Sequence, residues 1–136
     1  MITYTNIFYD TVLKGIRNLM RAEFDEPISF DGFEDESGSF YISPVSDDFL
    51  DDAAIAHVRR YTVQISYHGK VTFEHATKRA ERLKRLLFNN LGYSVSGAYQ
   101  WHDGEIDSVE YSEDEENPEI VQFNLNYSVT VHEAIS

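Results

Sequence analysis

Val121-Gln122-Phe123-Asn124-Leu125-Asn126-Tyr127-Ser128-Val129-Thr130-Val131 alternates apolar and polar residues without a break. Side chains in a strand point to opposite faces in turn, so this stretch reads as a strand with one covered face. It is too long for a minor edge, and is expected near the sheet centre or extending beyond the subunit. A second run behaves the same way: over residues 58–67, Tyr61, Val63, Ile65 and Tyr67 alternate with Arg60, Thr62, Gln64 and Ser66. Two strands with one polar face each define an antiparallel sheet whose second face is left for solvent or a partner.

Two helical patterns supply the cover. Over residues 4–22, Phe8, Val12, Ile16, Leu19 and Met20 form one apolar stripe, Thr5 is a candidate cap, and Pro27 ends any continuation. Over residues 70–91, Phe73, Ala76, Ala80, Leu83 and Leu87 recur every three or four positions, with Lys78, Arg82 and Arg85 opposite and Asn89, Asn90 and Gly92 as capping positions. Shorter strand-like runs lie at 28–30 and 39–42. Residues 93–101 and 106–111 read as a hairpin turned by Asp103-Gly104. Residues 46–52, with four carboxylates around Phe49 and Leu50, read as an exposed loop or short helix. The order is α, two short β, β, α, β-β, β. It predicts one α+β domain over residues 1–136: a mainly antiparallel sheet with two helices packed on one face, a two-layer sandwich.

The chain has 136 residues, 11 Lys+Arg against 24 Asp+Glu, a net charge of −13 and no cysteine. An apolar content of 42% is too high for a disordered acidic chain, and the missing cysteines exclude disulfides and thiolate zinc sites. No stretch suits a signal peptide or a membrane span, so a soluble protein is expected.

The charge is segregated. Residues 59–85 hold eight of the eleven bases against Glu74 and Glu81 alone, whereas residues 22–58 carry eleven acids and residues 86–136 carry ten, both without Lys or Arg. Such an acidic excess opposes general binding of nucleic acid, which requires phosphate neutralisation. The basic face around Lys78, Arg82 and Arg85, with Arg59 and Arg60, has three readings: a solvated surface, a nucleic-acid contact against the global field, or a contact with an acidic neighbour. The last makes those five residues a candidate oligomer interface.

Catalytic signatures are missing. The glycines are scattered, no G-x-S-x-G elbow exists, and the histidines lack metal-ligand spacing. His102 with Asp103 and Glu105 is the nearest approach to a metal site, against which stands a solvated hairpin. No catalytic residue, metal or cofactor is assigned.

The stretches Tyr41-Ile42-Ser43-Pro44-Val45, Asp47-Asp48-Phe49-Leu50-Asp51-Asp52 and residues 55–67, followed by a long helix at 74–90, a hairpin and a last strand, resemble small neck and tail-terminator proteins of tailed bacteriophages. The resemblance covers most of the chain at the level of organisation. It implies a non-enzymatic virion protein of the neck or tail, assembled in the host cytoplasm. Such a protein forms a ring, in the family a hexamer, that caps the tail tube, ends its polymerisation and joins it to the head connector. Its partners are then copies of itself, the tail-tube protein and the connector or adaptor, with DNA passing through the lumen unbound and no membrane involved. Acidic segments suit such a lumen or a partner contact: Asp31, Glu34, Asp35 and Glu36; Asp47, Asp48, Asp51 and Asp52; Glu113, Asp114, Glu115 and Glu116. A head-completion protein, a tail-tube subunit, and a small ligand-binding α+β domain remain as alternatives.

Overall fold

The computed structural model describes residues 1–3, 6–32, 37–53, 56–89 and 99–134. A π-helical segment, Phe8–Leu13, runs directly into α1, Lys14–Glu23. Strands β1 (Ile28–Ser29), β2 (Ser39–Ala53) and β3 (Ala56–Gly69) follow, then α2 (Phe73–Asn89), β4 (Tyr99–Glu113) and β5 (Val121–Ala134). They form one five-stranded sheet in the order β1-β2-β3-β5-β4. Only the short β1–β2 pair is parallel. The α+β class with a mainly antiparallel sheet follows directly.

The alternating strands take the central places. In β3, Tyr61, Val63, Ile65 and Tyr67 are buried; in β5, so are Phe123, Leu125, Tyr127, Val129 and Val131. Their neighbours point to the opposite face, and β3 pairs with β5 along its whole length, from Ala56↔Ala134 to Gly69↔Val121. Val12, Ile16 and Met20 come down on the apolar face from the first helix, and Ala76, Ala80, Leu83 and Leu87 from α2, in one continuous core. Ala76 and Ala80 bring the α2 backbone close to the aromatic strand residues, because a small side chain permits a short helix–sheet distance. Phe73, counted in the apolar stripe, is instead 42% exposed.

Asn6 Oδ1 accepts the Tyr9 backbone N–H at 3.2 Å, which satisfies an orphan donor of the first turn; Thr5 lies outside the described residues. The widened π turn buries Thr11, Val12 and Leu13 together, which a regular 3.6-residue turn does less well. At α2, Thr72 Oγ1 accepts the His75 N–H at 3.1 Å. Asn90 and Gly92, two of the three expected C-terminal capping positions, lie outside the described residues, as does the run 93–98.

Two local readings are corrected. Residues 46–52 are neither loop nor short helix: they continue β2, paired with β3 as far as Ala53↔Ala56, with irregularities at Pro44/Ser46 and Phe49/Asp51. Strand pairing satisfies the backbone there, and an edge strand tolerates carboxylates that reach into water. Residues 102–105 are not a hairpin turn either. Both flanking segments pair with β5 rather than with each other, and the Asp103-Gly104 step is taken up as a register shift between His102 and Glu105. An irregularity of this kind inserts unpaired residues without ending the strand.

Candidate functional site

Seven of the eight bases in residues 59–85 have carboxylate partners in space. Arg59 Nη1 lies 3.9 Å from Asp47, Arg60 Nη2 3.0 Å from Glu105, and Lys78 Nζ 3.4 Å from Glu74. Arg79 Nε donates to Glu26 Oε2 at 2.7 Å, and Arg82 Nε donates to Glu23 Oε1. Glu23 and Glu26 come from the segment around the end of α1, more than fifty positions away, so no local spacing reveals them. Lys84 at 2.9 Å and Arg85 at 3.4 Å share one carboxylate, Glu81. The hydrogen bond from Lys84, reinforced by both positive charges, holds the Glu81 carboxyl below its ordinary range. Two cations on one carboxylate leave the last turns of α2 locally positive.

The five residues assigned to an oligomer interface therefore fall on two surfaces. Lys78, Arg82 and Arg85 lie on α2. Arg60 lies on the polar sheet face, donating from Nη1 to Thr130 Oγ1 at 2.9 Å as well as to Glu105. Arg59 is on the other side of β3, beside Asp47. Arg82 is also tethered, its guanidinium lying 5.9 Å from the Phe24 ring centre. Arg82→Glu should accordingly cost about 1 kcal/mol of stability, seen as a lower urea midpoint, because it breaks the Glu23 pair and places like charges together. Arg85, 77% exposed, is the cleaner probe of assembly.

The buried end of this charge system is a small polar hub. Glu26 Oε2 accepts from Arg79 and from Tyr67 Oη at 3.3 Å, while His75 Nε2 lies 3.2 Å from the same hydroxyl. It joins the chain after α1 to β3 and to the first turns of α2. Burial, followed by the Glu26 charge, pushes the Tyr67 phenol up to about 12, and burial pushes Tyr127 up to about 12. Both phenols stay protonated in the fold at a pH where the unfolded chain releases them. Their stabilising contribution is thus intact below pH 10 and is lost as the pH rises from 10 towards 12. Urea midpoints at pH 9 and pH 11.5 should differ accordingly, and Phe at either position should reduce the difference.

The sheet face opposite the helices is polar and internally cross-linked. Thr62 Oγ1 and Ser128 Oγ share a hydrogen bond of 2.8 Å, Ser66 Oγ donates to Asn124 Oδ1 at 2.6 Å, and Gln122 Nε2 donates to the same oxygen at 3.1 Å. These pairs stitch β3 to β5 on the solvent side, as cross-strand polar pairs do. Both flanks of the sheet are acidic. β4 carries Asp103, Glu105, Asp107, Glu110 and Glu113 with no Lys or Arg, and β2 carries Asp47, Asp48, Asp51 and Asp52. Beyond Tyr41 no described strand pairs with the outer side of β2, since β1 reaches only Phe40 and Tyr41.

The acidic segments thus differ in kind. Asp47, Asp48, Asp51 and Asp52 are strand residues towards the β2–β3 end of the sheet. Glu113 closes β4 at the opposite end, where it pairs with Val121. Asp114 organises the following turn, its Oδ1 accepting the N–H groups of Glu116 at 2.9 Å and Asn117 at 3.2 Å. Glu115 and Glu116 are exposed, and so is Asp31. Glu34, Asp35 and Glu36 lie outside the described residues. Among the described residues no three His, Asp or Glu side chains gather where they would hold a metal ion, and no helix is long and apolar enough to cross a membrane.

Sequence reasoning missed one feature. Beside the end of α2 is a surface cavity of about 290 Å³, lined among the described residues by Lys84, Arg85, Phe88 and Ile106 of β4. Phe88 is 67% exposed. Its signal was present in the sequence: Phe88 follows Leu87 and so falls off the buried stripe of α2.

The geometry defines an α+β sandwich with one covered face, one stitched polar face, two acidic flanks and a cationic helix end. No protein-family model matches this chain, and no curated protein matches it. Among solved structures, its fold is shared with a chain of the virion of a native gene transfer agent particle. The TM-score is 0.69 at 14% identity, over 94% of this chain and 99% of that one.

Proposed function

We propose that the chain is a non-enzymatic structural subunit of a phage-like virion, acting in the neck or tail as a ring that caps the tail tube. In this role it ends tube polymerisation and presents a surface to the head connector. The observation that carries the reading is the end-to-end likeness to a virion chain, which leaves almost nothing of either chain over. Segregated charge supports it as well: a locally positive helix end and acidic sheet flanks on one subunit suit repeated contact between copies. A net charge of −13 suits a channel through which DNA slides, since unpaired carboxylates repel phosphate. Asp31, Glu115 and Glu116 are the exposed acids proposed to face that lumen.

Electron micrographs and native mass measurement of the purified chain, alone and with tail-tube protein, test this proposal. Closed rings of one size, six copies on the proposed reading, that sit on tube ends and stop tube growth are the expected result. Open stacks of indefinite length would favour a tube subunit, and a strict monomer in both samples would overturn the ring.

A further inference from the structure

We propose that the cavity at the end of α2 receives the β2 edge of a second copy of this chain, so that the segment Asp47–Asp52 of one subunit docks against Lys84, Arg85, Phe88 and Ile106 of the next. This inference rests on the ring reading above and names its contact.

Charge and polarity match along the two partners. Among the described residues the cavity is lined by two apolar side chains, Phe88 and Ile106, and by two cations that share the carboxylate of Glu81. The β2 segment has the complementary order: Asp47 and Asp48, then Phe49 and Leu50, then Asp51 and Asp52. Val45, Asp47 and Asp48 are exposed on it, and no described strand pairs with its outer side. A strand edge rich in carboxylates that also carries apolar residues suits an apolar notch flanked by cations.

The sheet topology makes this contact intermolecular. β2 and β4 flank opposite sides of β3 and β5, about three strand spacings apart, roughly 14 Å. Phe49 is also level with Trp101 through Arg59 and Val131, whereas Ile106 is level with Pro44 through Tyr127 and Val63. A single sheet cannot bring its own β2 edge into its own cavity. A contact between two different patches is heterologous, the kind that generates a ring when its rotation closes. Like-on-like edge pairing is opposed, because two β2 edges bring four carboxylates each and two β4 strands bring five each.

The test uses two double variants of the full chain, Lys84→Glu with Arg85→Glu, and Asp48→Lys with Asp51→Lys. Assembly is read by native mass measurement and light scattering at low salt, and folding by circular dichroism. Each variant alone should assemble at least about tenfold more weakly than the parent chain. Mixed one to one they should assemble again as alternating copies, because the reversed cavity meets the reversed edge and the unaltered cavity meets the unaltered edge. Phe88→Ala should weaken assembly and leave the monomer folded. Rings that persist in both double variants, or variants that fail to recover on mixing, would overturn this contact and leave the ring itself standing. A parent chain that stays monomeric alone and with tail-tube protein would overturn both.

Discussion

Replacing Phe123 by alanine is expected to cost about 3–5 kcal/mol, at the upper end for a single truncation in the core. Phe123 is fully buried within an aromatic row that crosses the sheet. Register places Tyr111, Phe123, Tyr67 and Phe40 directly opposite one another on β4, β5, β3 and β2. Ring centres are 6.0 Å apart for Tyr111–Phe123, 5.5 Å for Phe123–Tyr67 and 4.8 Å for Tyr67–Phe40. Phe24, just beyond α1, continues the row at 4.7 Å from Phe40. Removal of the Phe123 ring therefore deletes two aromatic contacts as well as buried area, and the backbone of two paired strands cannot collapse into the void. For a domain with stability in the usual range of about 5–15 kcal/mol, much of the margin disappears. Denaturant midpoints check it, with Tyr111→Ala as the comparison; that ring is 40% exposed, and its loss should cost no more than half as much.

A comparably large loss is expected from Gly38→Ala. Gly38 has φ +131°, a conformation that side-chain-bearing L residues rarely adopt, and an added Cβ would collide with the Tyr67 hydroxyl. That hydroxyl cannot simply swing away, because it donates to Glu26 and lies beside His75. The substitution thus combines backbone strain with disruption of the hub that ties α2 to the sheet. Gly32 separates the two causes: its φ is +119°, but a Cβ there would meet nothing within 4 Å. Gly32→Ala should cost only the strain, about 1–2 kcal/mol, and Gly38→Ala clearly more. Thermal unfolding of the two variants side by side measures the difference. If the two lose the same stability, the Tyr67 collision has no energetic weight.

Neither the aromatic row nor the hub follows from local pattern. The sequence shows Phe40, Tyr67, Tyr111 and Phe123 as apolar strand positions, but which stand opposite depends on strand order and register. The same limitation produced the two misread segments. Acid-rich residues 46–52 look like a loop because charge avoids buried strands, yet an outer strand needs burial on neither its edge nor its far face. Asp103-Gly104 is a good turn signal, but the long β5 was available to pair on both sides, and that pairing carries the strand through the step as a register shift.

For the candidate site, the sequence showed that charge is segregated and that α2 carries five of the eleven bases. It did not show that Glu23 and Glu26 return to neutralise Arg82 and Arg79. Ion pairing between segments more than fifty residues apart depends on where the chain returns in space, and no periodicity records that.

By itself the sequence determined what local chemistry can determine: two amphipathic helices, two long half-covered strands, a class of fold, and a charge distribution split along the chain. These follow from periods of 3.6 and 2, which each segment carries alone. The tertiary structure decided the rest. Placing β2 and β4 on opposite flanks put one acidic segment far from its own cationic helix end, and the ion pairs showed which cations are satisfied at home. Strand order is a property of the whole chain, so only the fold distinguishes a positive surface from positive residues.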